Sequence, residues 1–370
     1  HGYDKLILAM GSRAFVPKDV PLHLPGVFTM RNRQNADGLK ARLHRDAHVL
    51  IVGGGLLGLE LSASLREAGI AISIVQLSGR LMERQLDTLA GNMLLDFIEE
   101  KRIRVYTHDQ VQSIVPEGDR LLTASLKSGR ELSCDAIVFA IGTRPNIELG
   151  AECGLECGRG IIVNDYLQTS DPDILAMGEL AEHRGKLNGI TAAAEQQADT
   201  AARFLNGDLL SGYEGSLPMN ILKFSDLDLC SLGIPEIPAN AEGYEEILFI
   251  DKSQRYYKKC IIKDDRLVGA ILMGDKSEFA EFRSLIESKL ELSEKRKALL
   301  RSGKAAEPVL GRLVCSCNNV GTGNLEKLIS LGCEDLGELC RLSGAGLGCG
   351  SCKPEVKEIL DNSVASGVLN

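Results

Sequence analysis

Two pairs of cysteines near the end of the chain have the spacing of a four-thiolate site. Cys315 and Cys317 form a C-x-C pair, and Cys349 and Cys352 form a C-x-x-C pair after residues 318–348. All six histidines precede these cysteines, so four sulfur ligands are the simplest donor set. On spacing alone, a zinc ion, an iron-sulfur cluster, a redox dithiol and a disulfide all remain open.

The second pair lies in a glycine-rich loop, GAGLGCGSC, in which Gly344, Gly346, Gly348 and Gly350 alternate with other residues. The backbone N–H groups of such a loop can donate to thiolates and to cluster sulfides. Zinc sites with four thiolates usually use two C-x-x-C hooks, whereas the first hook here is C-x-C. The pattern favours a [2Fe-2S] cluster over zinc, and a disulfide is the least favoured in a reducing compartment.

Two short helices are predicted between the cysteine pairs, in GNLEKLISLG and DLGELCRLSG. Their apolar side chains would form a small core that brings the pairs together. This predicted core consists of Leu325, Leu328, Ile329, Leu336, Leu339 and Leu342. The cysteines outside the four-thiolate pattern here, Cys333 and Cys340, are predicted to be small buried residues.

A second chemical signature lies in residues 48–76, HVLIVGGGLLGLELSASLREAGIAISIVQ. The apolar spacing predicts a strand at His48 to Val52, a helix at Leu57 to Ala68 and a second strand at Ile70 to Val75. The G-x-G-x-x-G sequence therefore falls at the first turn of a βαβ unit, which is the context that dinucleotide binding requires.

Each glycine of this turn has a separate role. Gly53 allows the tight turn, Gly55 lets the backbone approach a diphosphate, and Gly58 lets the helix pack closely on the strand. The diphosphate would bind at the positive end of the helix. The second strand ends at Gln76, where a carboxylate would bind the ribose 2′-hydroxyl. Because Gln76 is neutral and Arg80 follows, NADH and NADPH both remain open, and Arg80 is alternatively a solvated loop charge.

Three further segments share one design, an apolar strand that runs into a glycine. They are YDKLILAMGS at Tyr3–Ser12, CDAIVFAIGTRPN at Cys134–Asn146 and DPDILAMGELAE at Asp171–Glu182. A buried parallel strand is continuously apolar, and a glycine beyond its C-terminal end admits a ligand to the crevice where such folds bind nucleotides. Together with the βαβ unit, these segments predict an α/β fold that binds nucleotides.

The later part of the chain has a different pattern of apolar and polar residues. From about residue 211, β-rich segments alternate with polar turns, including Asp264-Asp265, and an amphipathic helical stretch follows. This pattern predicts a mixed α+β domain. Residues 305–311, AAEPVLG, are the predicted linker to the last unit.

Composition narrows the classes of function. At 370 residues, two or three domains are expected. A net charge of −9 without basic tracts argues against nucleic acid as a partner. No apolar run approaches the 18 residues of a transmembrane helix, so no membrane partner is expected. Eleven cysteines, an odd number, without a visible signal peptide predict a reducing, cytoplasmic location.

In this order, the motifs resemble the flavoprotein reductases of the glutathione reductase superfamily, which have two dinucleotide-binding domains. LMERQLD at Leu81–Asp87 and the Gly178-Glu179 pair resemble most closely the branch that contains the NAD(P)H-dependent nitrite reductase large subunit and the assimilatory nitrate reductase electron-transfer subunit. The cysteine spacing is similar to that of the bacterioferritin-associated ferredoxin-type [2Fe-2S] domain, which occurs at this place in that branch.

The resemblance implies a Rossmann-like α/β flavoprotein with two appended domains. The implied parts are an FAD domain in residues 1–35 and 147–210, an NAD(P)H-binding domain in 36–146, an α+β reductase C-terminal domain in 211–305 and a small helical [2Fe-2S] domain in 306–370. The family's first βαβ unit, with the FAD glycine fingerprint, would precede Tyr3. We therefore expect an N-terminally truncated fragment with an incomplete FAD half.

The resemblance also implies residues for each cofactor. The implied FAD contacts are Gly11, Arg31, Gly178, Glu179 and Ile190. The implied NAD(P)H contacts are Gly53, Gly55, Leu57, Gly58, Glu60, Gln76 and Gly142. The implied [2Fe-2S] ligands are Cys315, Cys317, Cys349 and Cys352. No residue is predicted to act as an acid or a base, because hydride transfer to a flavin depends mainly on orientation.

The implied activity is electron transfer from NAD(P)H through FAD and a [2Fe-2S] cluster. The implied partner is a siroheme or molybdenum reductase domain or subunit that reduces nitrite or nitrate, and a homodimer is compatible with the resemblance. One alternative is a rubredoxin or ferredoxin reductase whose acceptor is a small electron carrier. The other is a non-catalytic NAD(P)-binding module with a structural zinc ion.

Overall fold

The computed structural model describes residues 2–118, 120–293, 296–299 and 308–365. The predicted linker at 305–311 begins outside these residues, as does the predicted domain boundary at 305/306. Within the described ranges, no helix has both the length and the apolar character needed to cross a membrane.

The first part of the chain builds a five-stranded parallel sheet in the order β3-β10-β4-β5-β6. Its central strands β10, β4 and β5 are mainly apolar and almost entirely buried, as expected for strands covered on both faces. The elements are β1 (Leu6–Leu8), β2 (Ser12–Ala14), β3 (Val27–Thr29), α1 (Arg33–Arg42), β4 (His48–Val52), α2 (Leu56–Glu67), β5 (Ala71–Val75), α3 (Thr88–Glu100), β6 (Arg104–Tyr106), β7 (Val111–Glu117), β8 (Leu121–Leu126), β9 (Glu131–Cys134) and β10 (Ala136–Phe139). Strands β7, β8 and β9 form a separate antiparallel sheet.

The chain then returns to its own beginning. Strand β13 pairs in parallel with β1, and β11 pairs antiparallel with β2. The elements of this part are β11 (Thr143–Pro145), α4 (Glu148–Glu152), β12 (Ile161–Val163), β13 (Ile174–Ala176), β14 (Ala181–His183), β15 (Lys186–Leu187) and α5 (Thr191–Leu205), with a 3-10 turn at Gly178–Leu180. This pairing brings the two glycine-terminated strands β1 and β13 side by side.

The third part is a five-stranded antiparallel sheet in the order β16-β17-β20-β19-β18. Its elements are β16 (Met219–Phe224), β17 (Leu227–Gly233), β18 (Tyr244–Asp251), β19 (Tyr256–Lys263), β20 (Arg266–Met273), α6 (Phe279–Glu287) and α7 (Arg296–Leu299). The predicted turn joins β19 to β20, with Asp264 and Asp265 both at positive φ.

This sheet packs on both faces. Because neighbouring strand residues point to opposite faces, Leu229 joins the core beneath α2 and α3, whereas Cys230 packs with Phe279 and Phe282 of α6. The α+β part therefore shares one hydrophobic core with the first parallel sheet.

The last part consists of β21 (Leu313–Cys315), β22 (Val320–Gly321), α8 (Thr322–Ser330), α9 (Leu336–Ser343) and α10 (Lys353–Ala365). Both predicted short helices are present, and α10 is an additional helix that the sequence reading did not include. Leu325, Ile329 and Leu339 are fully buried, as predicted. The prediction for Leu342 was wrong: its side chain is 52% exposed, because it lies on the outer side of the eight-residue helix α9.

Candidate functional site

The residues implied for FAD surround one carboxylate, that of Glu179. Arg31 Nη2 and Ser12 Oγ both donate to Glu179 Oε2, the latter at 2.9 Å. A Cβ atom on Gly11 would lie 3.7 Å from Glu179 Oε2, and one on Gly189 would lie 3.8 Å from Glu179 Oε1. The paired strands β1 and β13 thus bring Gly11, Arg31 and Glu179 together.

Gly178 and the start of α5 complete this face. Gly178 has a φ of +81°, and no atom lies within 4 Å of the position that a Cβ would occupy. Ile190 is the N-cap residue of α5 and makes no side-chain cap. The open space at Gly178 leaves room for a ligand against the backbone.

Gln197 on α5 is a polar residue of this face that the sequence reading missed. Its Oε1 accepts the Gly178 N–H at 2.6 Å. The side chain is fully buried, and Nε2 has no hydrogen-bond partner among the described residues. An unpaired buried donor costs about 1–3 kcal/mol, so an acceptor on a ligand would relieve this cost. The donor set and the open glycines fit FAD.

The nucleotide turn, residues 53–58, is closed tightly at both ends and open in the middle. A Cβ on Gly53 would lie 2.5 Å from Ala140 O, and one on Gly58 would lie 2.0 Å from Gly53 O. Gly55, the N-cap of α2, has no atom within 4 Å of its Cβ position. The turn therefore requires glycine for packing at two positions and offers free space at the third, next to the helix N-terminus.

Gln76 braces the nucleotide turn. Its Oε1 accepts the Gly54 N–H at 2.7 Å, and its Nε2 donates to Ser78 Oγ at 2.7 Å. The side chain is buried. By accepting the Gly54 N–H, the Gln76 side chain holds the backbone of the nucleotide turn in place.

Arg80 is bound to protein groups. Its guanidinium donates to Thr88 Oγ1 at 2.9 Å, to Glu83 O at 3.2 Å and to Glu236 Oε2 at 3.2 Å. It is therefore neither a solvated loop charge nor a free cation for a 2′-phosphate. Its carboxylate partner, Glu236, lies far along the chain and gave no signal in the sequence.

The remaining residues implied for NAD(P)H lie on α2 and beyond β10. Leu57 is 44% exposed in the first turn of α2. Glu60, one turn later, accepts the backbone N–H of Lys223 at 3.1 Å, and burial raises the pKa of its carboxyl. Gly142, at φ +108°, has open space at its Cβ position, and its carbonyl accepts the Phe15 N–H at 2.9 Å. Strands β4 and β10 are parallel neighbours. The start of α2 and Gly142 therefore both follow the C-terminal edge of the parallel sheet.

The four cysteines of the two C-terminal pairs meet in one place. Contacts run from Cys352 to Cys315, on to Cys317 and then to Cys349, with 3.4 Å between the last two Sγ atoms. Cys315, Cys317 and Cys352 are buried, and Cys349 is half-buried. The Cys317 thiol donates to Cys349, and its interaction with Cys315 and with Cys349 lowers the pKa of both of these thiols.

The cluster loop, residues 344–352, supplies a backbone donor to this site. The Gly346 N–H donates to Cys352 Sγ at 3.1 Å. Gly344, Gly346 and Gly350 have φ values of +78°, +76° and +78°, a region that side chains disfavour. A donor to a ligand sulfur is typical of iron-sulfur sites.

The four thiols form one donor set, because each adjoins at least one other. Four thiolates can hold either a two-iron cluster or a zinc ion. The backbone donor to Cys352 is the feature that favours the cluster. Cys333 and Cys340 are buried beside it, as predicted.

Family models match three consecutive parts of the chain. Residues 1–198 match the pyridine nucleotide-disulphide oxidoreductases. Residues 218–290 match the rubredoxin NAD+ reductase C-terminal domain, and residues 313–362 match the BFD-like [2Fe-2S] binding domain.

Individual proteins agree with these matches. The chain is 35% identical to the NAD(P)H nitrite reductase of Bacillus subtilis (strain 168) over 98% of its length and 46% of that protein. It is 32% identical to the assimilatory nitrate reductase electron transfer subunit of the same organism over 97% of its length and 47% of that protein. It thus spans about half the length of these curated relatives. A ferredoxin reductase from Rhodopseudomonas palustris superposes with a TM-score of 0.69 at 27% identity, over 80% of this chain and 76% of that one.

Proposed function

Because the chain belongs to the pyridine nucleotide-disulphide oxidoreductase family, we propose that it is the electron-input part of an NAD(P)H-dependent nitrite or nitrate reductase. The family and the α/β flavoprotein fold expected from the motifs are confirmed. FAD and NAD(P)H follow from the oxidoreductase family, and a [2Fe-2S] cluster follows from the BFD-like domain.

The observation that carries this proposal is the four-thiol site within a reductase chain. Cys315, Cys317, Cys349 and Cys352 adjoin one another, and a backbone N–H faces one of the sulfurs. A reductase that only served a soluble two-electron acceptor would need no such site. Two relatives that align with 97–98% of this chain are named as a nitrite reductase and as an assimilatory nitrate reductase electron transfer subunit.

Each group of residues has a defined task in the proposal. The free N–H groups at Gly55 hold a diphosphate at the start of α2, while Gly53 and Gly58 keep helix and strand close. Arg31 and Glu179 form a fixed ion pair at the FAD face, which orients ligands there. When bound, FAD accepts a hydride from NAD(P)H and the cluster carries electrons singly.

The domain division is part of the same proposal. It assigns residues 1–35 and 147–210 to the FAD domain, 36–146 to the NAD(P)H-binding domain, 211–305 to the α+β domain and 306–370 to the cluster domain. The return of β13 to pair with β1 and the separate core of the last part support it.

Electrons would leave to a siroheme or molybdenum reductase domain or subunit. A homodimer is the assembly to test first.

All eleven cysteines are unpaired, which supports the proposed cytoplasmic location.

A second candidate is a rubredoxin or ferredoxin reductase that passes electrons to a small carrier. The match of residues 218–290 to the rubredoxin NAD+ reductase C-terminal domain and the superposition on a ferredoxin reductase favour it. The four-thiol site, which this candidate does not explain, favours the first.

Anaerobic titration of the purified chain with NADH or NADPH tests the proposal. We expect two iron atoms and two acid-labile sulfides per chain, and bleaching of the cluster absorbance after reduction. Zinc without iron would overturn the assignment. Reduced chain should then supply a nitrite- or nitrate-reducing partner; faster transfer to rubredoxin or ferredoxin would establish the second candidate.

A further inference from the structure

The cluster loop is attached to the rest of the molecule through an ion pair. Lys353 directly follows the ligand residue Cys352, and its Nζ lies 2.6 Å from Glu195 Oε2 on helix α5. The same carboxylate lies beside Gly350, where a Cβ atom would be 3.7 Å from Oε1. Both side chains of the pair are partly exposed, at 39% and 45%.

The helix that carries Glu195 also begins at the proposed FAD face. Ile190 is its N-cap residue, and Glu195 follows five residues later, about 8 Å along the helix axis. The ion pair therefore joins the cluster loop to the helix whose start is assigned to FAD.

The cluster loop also makes an apolar contact with strand β16, through Gly348. Ile221 on β16 packs against both the core of the α+β part and the core of the cluster domain. A Cβ atom on Gly348 would lie 3.3 Å from Ile221 Cδ1 and 2.8 Å from Cys317 Cβ. The loop thus approaches β16 closely only because Gly348 has no side chain.

Cys349 directly follows Gly348, the residue at which the loop approaches β16. Its Sγ lies 2.9 Å from Ser351 Oγ. Cys349 is half-buried, whereas the other three thiols of the site are buried in the cluster domain. Cys349 is therefore the most accessible of the four thiols.

The cluster loop and helix α5 are not in contact along their whole length. A cavity of about 540 Å³ lies between α5, α6 and the cluster loop, lined by Glu195, Gln196 and Arg283 on one side and by Gly346, Leu347 and Lys353 on the other. A surface ion pair is weak and is screened by salt. The attachment across this cavity is therefore easily opened.

We propose that Lys353 and Glu195 form an electrostatic latch that seats the cluster loop on α5, with Cys349 next to the part of the loop that contacts β16, and that electron transfer into the four-thiol site requires the closed latch. The inference rests on the proposed function for its electron-transfer part, and on the contacts alone for the seating of the loop. Glu195 and Lys353 are positioning residues in this scheme.

Charge reversal in the full holoprotein tests the latch. The variants are Glu195→Lys, Lys353→Glu and the two together. The matched control reverses the exposed Lys289–Glu214 pair, in which neither residue belongs to the cluster loop or to α5. We expect either single variant to slow cluster reduction by NADH about tenfold in stopped-flow measurements, to increase amide exchange in residues 346–352, and to leave iron content unchanged. The double variant should restore both readouts, and 0.5 M salt should slow the wild-type protein.

Wild-type exchange and rate in both single variants, or a double variant that restores neither, would overturn the latch. If NADH fails to reduce the wild-type cluster, the proposed function fails. In that case the amide-exchange comparison among the same variants still decides whether the ion pair seats the loop.

Discussion

The nucleotide turn and the cluster loop both depend on glycine, but for different physical reasons. In the nucleotide turn, a Cβ on Gly53 or Gly58 would come within 2.5 and 2.0 Å of backbone oxygens. In the cluster loop, Gly344 and Gly346 provide positive φ angles, which aim the Gly346 N–H at Cys352 Sγ. In the first region glycine mainly allows close packing, whereas in the second it sets backbone direction at Gly344 and Gly346 and allows close packing at Gly348.

The two regions also differ in the source of their contacts. The nucleotide turn is surrounded by residues of its own sheet, such as Gln76 and Ala140. The cluster loop needs Ile221 and Glu195 from other parts of the chain. The first region therefore carries its function within one domain, whereas the second depends on how domains are docked. A substitution that damages one of these two regions should therefore leave the other intact.

The largest effect is expected from Cys317→Ala, because this thiol contacts both Cys315 and Cys349. Iron and acid-labile sulfide should fall to background, while NAD+ binding by calorimetry stays unchanged. Cys333→Ala is the control, since this buried thiol donates to Asp335 O, lies outside the two cysteine pairs, and should be dispensable for iron binding. Full iron content in Cys317→Ala would remove the cysteine from the ligand set.

Asp87→Ala should weaken the attachment of α3 to strand β19 of the antiparallel sheet while leaving the cluster domain intact. Asp87 caps α3 and accepts from Tyr257 Oη at 2.5 Å and Lys259 Nζ at 3.0 Å. Removing one partner of a buried pair costs about 3 kcal/mol of unfolding free energy. Denaturant unfolding measures this loss. The control Asp226→Asn removes an exposed pair with Lys101 that joins the same two parts and should change stability little.

The contribution of Asp87 should also depend on pH. Burial alone would raise its pKa, but hydrogen bonds from Tyr257, the Ala90 N–H and Lys259 outweigh burial and lower it. Its stabilisation is therefore present above the unfolded-state pKa of about 3.9 and is lost as pH falls through the lower folded-state value. The difference in unfolding free energy between wild type and Asp87→Asn should be constant from about pH 5 to 7 and shrink below about pH 4. A constant difference down to pH 2 would contradict this.

Gly58→Ala and Gly55→Ala should separate packing from ligand space. At Gly58 the new methyl group would meet Gly53 O, so we expect a stability loss of about 1–3 kcal/mol. At Gly55 there is free space, so stability should change by less than about 0.5 kcal/mol, while NAD+ affinity falls about tenfold. Thermal unfolding and calorimetry distinguish the two. Unchanged affinity in Gly55→Ala would move the diphosphate away from this position.

The smallest effect concerns coenzyme choice. Because Glu236 holds Arg80, the wild-type protein should bind 5′-AMP and 2′,5′-ADP with similar affinity. Glu236→Gln should strengthen 2′,5′-ADP binding about threefold without changing 5′-AMP binding, and adding Arg80→Met should remove the gain. Strong wild-type preference for 2′,5′-ADP would show that another cation binds the 2′-phosphate.

Local patterns predicted the nucleotide side well. The helix predicted at Leu57 to Ala68 is α2 at Leu56–Glu67, and the strand predicted at Ile70 to Val75 is β5 at Ala71–Val75. The periodicity of apolar residues and the glycine positions act over a few residues, so they can be read without knowing the fold. The misplacement of Leu342 shows the limit, because only the packing of α9 selects its buried face.

Residues whose hydrogen-bond partners lie far away in the chain could not be identified from local sequence patterns. Gln197, Glu236 and Glu195 lie in helices or loops of ordinary composition. Gln197 meets Gly178 only when its own domain folds, and Glu236 and Glu195 meet their partners only after the domains have packed. No local spacing distinguishes them from other surface or core polar residues.

The amino-acid sequence alone therefore specified the βαβ turn, the strands that end in glycine and the four thiols, because these depend on short-range geometry and on ligand chemistry. The tertiary structure decided that Arg80 pairs with Glu236, that Gly348 lies against Ile221, and that Lys353 reaches Glu195. These pairings join residues far apart in the chain, so their free energy exists only once the shared cores have formed.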